Sequence, residues 1–208
     1  MRKAVITGMG VVSPVGNDID TFWASIKAGK SGLGPITRFD AAGFDSRVAA
    51  EVKDFDPSLY MDRKDARKMA LFTQFAVAAA VQAWRDAGLD GSSIDLERTA
   101  VMLGNGIGGI EIFEQSHAKL LESGPSRMLP LTVPMMIGNE AAGNIAIHFG
   151  IKGPVQTAVT ACASGSDAIG QALDMIRVGR ADVVVAGGTE AAISRSEERR
   201  VGKECTIQ

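Results

Sequence analysis

Thr160-Ala161-Cys162-Ala163-Ser164-Gly165-Ser166-Asp167-Ala168-Ile169-Gly170 decides how this chain is to be read. The residues before it, Val155–Thr160, form a short apolar run that reads as a strand. Those after it, Ser164–Val178, place Ala168, Ile169, Ala172, Leu173 and Ile176 at helical spacing. Cys162 therefore falls where a strand turns into a helix. A helix N-terminus carries unpaired N–H groups and a partial positive charge, and such an end favours a thiolate. Gly165 and Gly170 keep the first turns narrow, so that another backbone or a thin substrate can approach. A lone cysteine among apolar residues also suits a small buried hydrophobe, and placement alone leaves both readings open.

Working outward, strands alternate with helices, the pattern of an α/β layered fold. Lys3–Thr7 reads as a buried strand, and Arg98–Leu103 as a second one. Ala181–Ala186 is apolar on both faces, which predicts an internal, parallel strand. Asp18 is placed to cap a helix over Ile19–Ala28, which Gly29 ends. Ser31–Asp40 is irregular, residues 47–53 suit a short strand, and Pro57–Tyr60 a single helical turn. Asp65–Ala87 is the longest predicted helix, striped by Met69, Phe72, Ala76, Ala79, Ala80, Ala83 and Ala87. A helix follows Gly109 to about Leu121, and another covers Met135–Phe149. No linker splits the chain and no repeat of 20–50 residues is visible.

The chain has 208 residues, is 46% hydrophobic and 22% charged, and carries a net charge of −2. These values fit a globular protein with no global drive toward nucleic acid or an anionic membrane. Its 24 glycines and 5% aromatics suit close α/β packing. Two cysteines, Cys162 and Cys205, make no disulfide scaffold and fit a cytoplasmic setting. The apolar run after Arg2-Lys3 is broken by Gly8, Gly10 and Pro14, so it is a poor signal peptide and too short to span a membrane. No metal-ligand spacing occurs. His117 lies among Glu and Lys and reads as solvated. His148 ends a helix before Gly150, where a cation suits the dipole.

Two patterns imitate other chemistries. Gly104-Asn105-Gly106-Ile107-Gly108-Gly109 satisfies G-x-G-x-x-G between a strand and a helix, which would suit a nicotinamide-dependent oxidoreductase. No ribose-binding acid ends the next strand, however, and Tyr60-x-x-x-Lys64 falls too early for a reductase pair. Arg63, Lys64, Arg67 and Lys68 form a basic cluster that suits either a solvated helix start or docking of an acidic protein. Arg127 can join it.

Five strings together resemble the β-ketoacyl-acyl carrier protein synthases: Val5–Gly16, Arg67–Met69, Gly104–Gly109, Thr160–Gly165 and Ala186–Glu190. The likeness runs from Arg2 to Ile193, and the elongating synthase II type is the most similar. It implies a thiolase-like fold, here one αβα half of a five-layered αβαβα architecture with a mixed, mostly parallel sheet. It implies a homodimer at full length and no resident cofactor, since the acyl and malonyl groups arrive on the phosphopantetheine of acyl carrier protein. Cys162 would take the acyl chain as a thioester, with its own N–H in the oxyanion hole. Condensation with malonyl-carrier protein and loss of CO2 would follow. Ile107 would gate the acyl pocket, and Lys64, Arg67, Lys68 and Arg127 would contact the carrier. The two histidines that the family uses for decarboxylation belong to its second half, so this chain is expected not to complete condensation. An exposed apolar face and aggregation are expected as well. Residues 194–208 read as a charged, non-native tail in which Cys205 has no function. A non-catalytic partner of the chain-length-factor kind and a thiolase acting on coenzyme A esters are the related alternatives.

Overall fold

The computed structural model describes residues 2–196. Most of the segment read as a tail, Cys205 included, lies outside the described residues. Of its first residues, Ser194 is buried and the Ser196 N–H donates to Glu114 Oε1 at 2.6 Å.

Strand β3 (Thr99–Gly104) is the centre of the sheet and is buried along its whole length. Both neighbours are parallel to it. Strand β4 (Val155–Ala158) pairs in the register Val101↔Val155 to Gly104↔Ala158, and β5 (Val183–Gly188) pairs in the register Thr99↔Val183 to Gly104↔Gly188. The pleat sends alternate β3 side chains to opposite faces. Val101 and Leu103 join the core made by helices α3 (Leu71–Asp86) and α6 (Glu140–Phe149). Ala100 and Met102 join a second cluster with Ala168, Ala172 and Met175 of α7 (Ser164–Arg177). The result is the predicted α/β/α layering. Each fully buried Val, Leu or Phe contributes about 1.5–3 kcal/mol, and Phe72, Val77 and Val101 are all sealed from solvent. Trp84 stacks on Phe149 at 4.2 Å between ring centroids, tying the ends of α3 and α6 together.

The flanking elements are small. Helix α1 (Ile19–Lys27) is capped as the sequence predicts, with the Thr21 N–H donating to Asp18 Oδ1 at 2.8 Å. Strands β1 (Gly34–Pro35) and β2 (Val48–Ala49) form an antiparallel pair. Glu51 is buried beside them and accepts from Thr37 N–H, Thr37 Oγ1 and Arg38 N–H.

Four sequence expectations are corrected. Lys3–Thr7 joins no ladder, and Val5 and Ile6 are 79% and 83% exposed. The segment lies instead against α3, where Gly8 and Gly10 leave no room for a Cβ beside the backbone carbonyls of Ala83 and Ala79. Side chains hold it: Met9 N–H donates to Asp86, Val11 N–H to Gln82, and Arg2 pairs with Asp182. An apolar cleft of about 670 Å³ separates it from β5. Consequently β5 is an edge strand and not an internal one, its outer ladder groups facing that cleft.

The long helix predicted over 65–87 is two helices, α2 (Arg63–Ala66) and α3. The Gln74 amide donates to the carbonyls of Ala66 and Met69 at 3.0 Å, satisfying groups that a continuous helix would have bonded internally. The helix predicted over 135–149 is likewise divided. Helix α5 (Thr132–Met136) stops at Ile137, and α6 begins at Glu140. The break lets Gly138 rest on the Asn105 side chain.

The first turns of α3, α4 (Ile110–Ser123) and α6 bring two acids into the core. The Leu71 N–H donates to Glu111 Oε1 at 3.1 Å, and Thr73 Oγ1 donates to Glu140 Oε2 at 2.8 Å. Desolvation pushes the Glu140 carboxyl up to about 7 against the lowering effect of Thr73, and it raises Glu111 too.

Candidate active site

The C-terminal ends of three parallel strands converge on one place, where α/β folds of this kind bind ligands. Past β4, Thr160–Ser164 turns the chain into α7 through a single 3₁₀ turn, Ala161–Ala163. Past β3 comes the Asn105–Gly109 loop, and past β5 come Thr189 and Glu190.

Cys162 lies at the top of the β4–α7 turn, one residue before Ala163, the cap of α7. It is an exposed free thiol. The expectation of a cysteine at a strand-to-helix junction holds, and the alternative of a buried hydrophobe does not. Ala161 takes φ = 50°, the left-handed region that a non-glycine residue adopts only at a cost of about 1–3 kcal/mol. Ser164 holds the turn in that shape. Its Oγ accepts from Thr160 N–H at 2.9 Å and donates to Ala161 O at 2.7 Å, with Asn105 O at 3.5 Å as a second acceptor. Among the described residues no acceptor takes the Cys162 N–H. A thiol, a free N–H on the same residue and a helix N-terminus behind them suit attack on a carbonyl and stabilisation of the oxyanion that results.

Close backbone contacts lock the three strand ends. A Cβ on Gly104 would lie 2.1 Å from the Ser164 carbonyl carbon, and one on Gly188 would lie 2.8 Å from Gly165 Cα. Gly165 thus has the narrow role predicted for it. Gly170 does not: a Cβ there meets open space. Ile107 sits on the β3 loop, partly exposed, and its backbone is bonded to Glu190. Lys64 and Arg67 lie on α2 and its C-terminal cap, with Lys68 just beyond, all exposed. Lys68 pairs with Asp65 at 3.4 Å. Arg127 is exposed on a separate 3₁₀ turn after α4, and among the described residues no hydrogen bond or ion pair joins it to that cluster. His117 is exposed and stacks on Phe113. His148 lies in the last turn of α6 before the Gly150 cap, as expected, while desolvation first and the Arg85 charge second lower its pKa. Among the described residues no group of three or more His, Cys, Asp and Glu side chains could hold a metal ion.

Three residues with clear parts in the site, Asn105, Ser164 and Glu190, were not singled out from sequence. The available signal was the position of Asn105 and Glu190 just past a strand's C-terminal end and of Ser164 at the first residue of the helix after Cys162.

Residues 1–203 match the family model described as the N-terminal domain of β-ketoacyl synthase. The chain belongs to the β-ketoacyl synthase family. It is 45% identical over 193 residues to the 3-oxoacyl-[acyl-carrier-protein] synthase 2 of Synechocystis sp., covering 93% of this chain and 46% of that protein. It is 48% identical over 191 residues to the synthase 2 of Coxiella burnetii, covering 92% and 46%. The chain therefore spans about half the length of these relatives. Among solved structures, the ishigamide ketosynthase/chain length factor superposes with a TM-score of 0.85 at 33% identity, over 90% of this chain and 47% of that one. A β-ketoacyl synthase from Burkholderia phymatum gives 0.77 at 33%, over 89% and 46%. The glycines of the G-x-G-x-x-G loop are packed against neighbouring backbone, where a Cβ on Gly104, Gly108 or Gly109 would lie 2.1, 2.4 or 2.5 Å from atoms of Ser164, Met136 or Met135.

Proposed function

We propose that this chain is the acyl-accepting half of an elongating 3-oxoacyl-[acyl-carrier-protein] synthase of fatty acid biosynthesis, an acyltransferase-type condensing enzyme. Its supporting observation is the exposed Cys162 thiol, held on a strained turn at the head of α7 with its own N–H free. The Cys162 thiolate attacks the carbonyl carbon of an acyl thioester on the carrier's phosphopantetheine. The oxyanion points at the Cys162 N–H. As the tetrahedral intermediate collapses, the carbon–sulfur bond to phosphopantetheine breaks and the departing thiolate takes up a proton. A thiolate suits both roles, as a soft nucleophile and as a good leaving group. No resident cofactor is required, because the acyl group brings its phosphopantetheine with it. Lys64, Arg67, Lys68 and Arg127 supply positive charge for an acidic carrier, and Ile107 closes the acyl channel. Decarboxylation of malonyl-carrier protein and attack of its enolate call for groups that neither His117 nor His148 supplies. Condensation is thus a property of the longer synthase, and its homodimer is part of the same proposal. No helix among the described residues is long and apolar enough to cross a membrane, which suits work on a cytoplasmic carrier.

The test is transfer alone. Incubated with an acyl-carrier protein and no malonyl donor, the chain should release one carrier thiol per Cys162, and Cys162→Ala should release none. A chain that releases no carrier thiol would overturn the acyl-acceptor reading and favour a non-catalytic partner. Equal reaction with acyl-coenzyme A and acyl-carrier protein would favour the thiolase alternative.

A further inference from the structure

Glu190 has no role in the chemistry above, yet its carboxylate is aimed at the loop that carries Ile107. Oε2 accepts from Gly106 N–H at 2.8 Å and from Ile107 N–H at 3.2 Å. Oε1 lies 3.4 Å from Asn105 Nδ2, which also donates to Thr189 O at 2.7 Å. Two successive N–H groups converging on one oxygen form an anion-binding nest, and here the chain fills it with its own side chain. The contact is close: a Cβ on Gly106 would lie 2.9 Å from Glu190 Oε2. From the other side, Gly109 N–H donates to Met136 O at 3.0 Å. The Asn105 carbonyl meets Ser164 Oγ in the cysteine turn. The loop is thus gripped at both ends, and Glu190 holds the two amides at its centre. Thr189 anchors that grip, donating from Oγ1 to Phe72 O at 2.6 Å and from N–H to Gly104 O at 3.0 Å.

We propose that Glu190 is a positioning residue: by holding the Gly106 and Ile107 amides it fixes the Ile107 side chain, and so limits how long a chain Cys162 can accept. This rests on the acyl-acceptor reading, so the test uses probes that need only the thiol. Glu190→Ala and Glu190→Gln are compared with the unchanged chain in two measurements. The first is hydrogen exchange at Gly106 and Ile107, where loss of a charge-assisted bond should speed exchange about tenfold in Glu190→Ala. Glu190→Gln keeps the size and one acceptor oxygen and should fall between. The second is the ratio of Cys162 labelling rates with N-dodecylmaleimide and N-ethylmaleimide. A released gate should raise that ratio about fivefold while leaving the ethyl rate within about twofold. Faster exchange with an unchanged ratio makes Glu190 merely structural and overturns the proposal, as does unchanged exchange. A shifted ratio in a chain that takes no acyl group from carrier protein upholds the positioning role and sinks only the acyl-acceptor reading.

Discussion

Ser164→Ala tests how the nucleophile turn is held. The substitution removes one oxygen and almost no volume from a residue only 4% exposed. It leaves Thr160 N–H without its partner at 2.9 Å and takes from Ala161 O one of two donors, the backbone N–H at position 164 remaining. A buried group deprived of its bond costs about 1–3 kcal/mol. Thr160 and Ala161 are themselves exposed, so water can take over part of both roles. The net loss should therefore be at the low end, about 1–2 kcal/mol, and a chain of this size should melt about 4 °C lower. The effect on reactivity should be larger. Ala161 is held at φ = 50° against about 1–3 kcal/mol of strain. Without Ser164 it is free to relax, moving Cys162 off the head of α7. Acylation by carrier-bound thioester should then fall about tenfold, the equivalent of ~1.4 kcal/mol. The assay is a thermal melt beside a rate of carrier-thiol release. A variant that keeps its full acylation rate would refute the claim that Ser164 maintains the turn.

Other expectations follow from groups away from Cys162. The Glu140 carboxyl titrates near 7 when folded, above its ordinary 4.5, so the folded state holds the extra proton between those values. Its contribution is intact below about pH 4.5 and is lost as pH rises through 7. Glu140→Gln should abolish that slope and be more stable at pH 8 by an amount on the order of 2 kcal/mol, as read by urea melts at pH 5 and pH 8; parallel slopes for the two proteins would exclude Glu140 as the source. Glu51 is opposite in sign: burial raises its pKa, but the bonds from Thr37 and Arg38 outweigh this and hold it below 4.5. The β1–β2 pair should loosen as pH falls through that lowered value, seen as faster exchange at the Thr37 and Arg38 amides in acid, and pH-independent exchange protection there would be the contrary result. Phe72→Ala should cost about 3–5 kcal/mol, because Phe72 is fully buried in the core cluster that includes Val101, Leu103 and Ile145; a loss under about 1 kcal/mol by denaturant melt would show a looser core. The cleft beside β5, with Val5 and Ile6 exposed, should make the chain self-associate at micromolar concentration. A monomer by sedimentation with a cooperative melt would contradict that.

Much of this was legible in the sequence where a local signal and the tertiary fold agree. β3 could be read because its continuous apolar run is buried throughout, and α7 because Ala168 and Ala172 of its stripe are buried against the sheet, although Ile169 of the same stripe is 56% exposed. The Cys162 turn could be read because glycine and small residues stand where a strand must turn tightly into a helix. Lys3–Thr7 misled because its apolar composition is that of a strand, whereas strand pairing needs an adjacent edge, and here a cleft lies between it and β5. The breaks at 67–70 and 137–139 were hidden because they depend on side-chain partners that residue type alone does not reveal, Gln74 reaching back to Ala66 and Met69, and Asn105 meeting Gly138 from far along the chain. Glu190 was invisible for the same reason. Its target amides are more than eighty residues away along the chain, and no periodicity connects them.

The most direct measurement is peptide-mapped mass spectrometry of the chain after exposure to an acyl-carrier protein. A single acyl adduct should appear on the peptide containing Cys162, removed by hydroxylamine as a thioester should be, and absent from Cys162→Ser. An unmodified Cys162 in a folded chain, or adducts spread over other side chains, would contradict the acyl-acceptor reading.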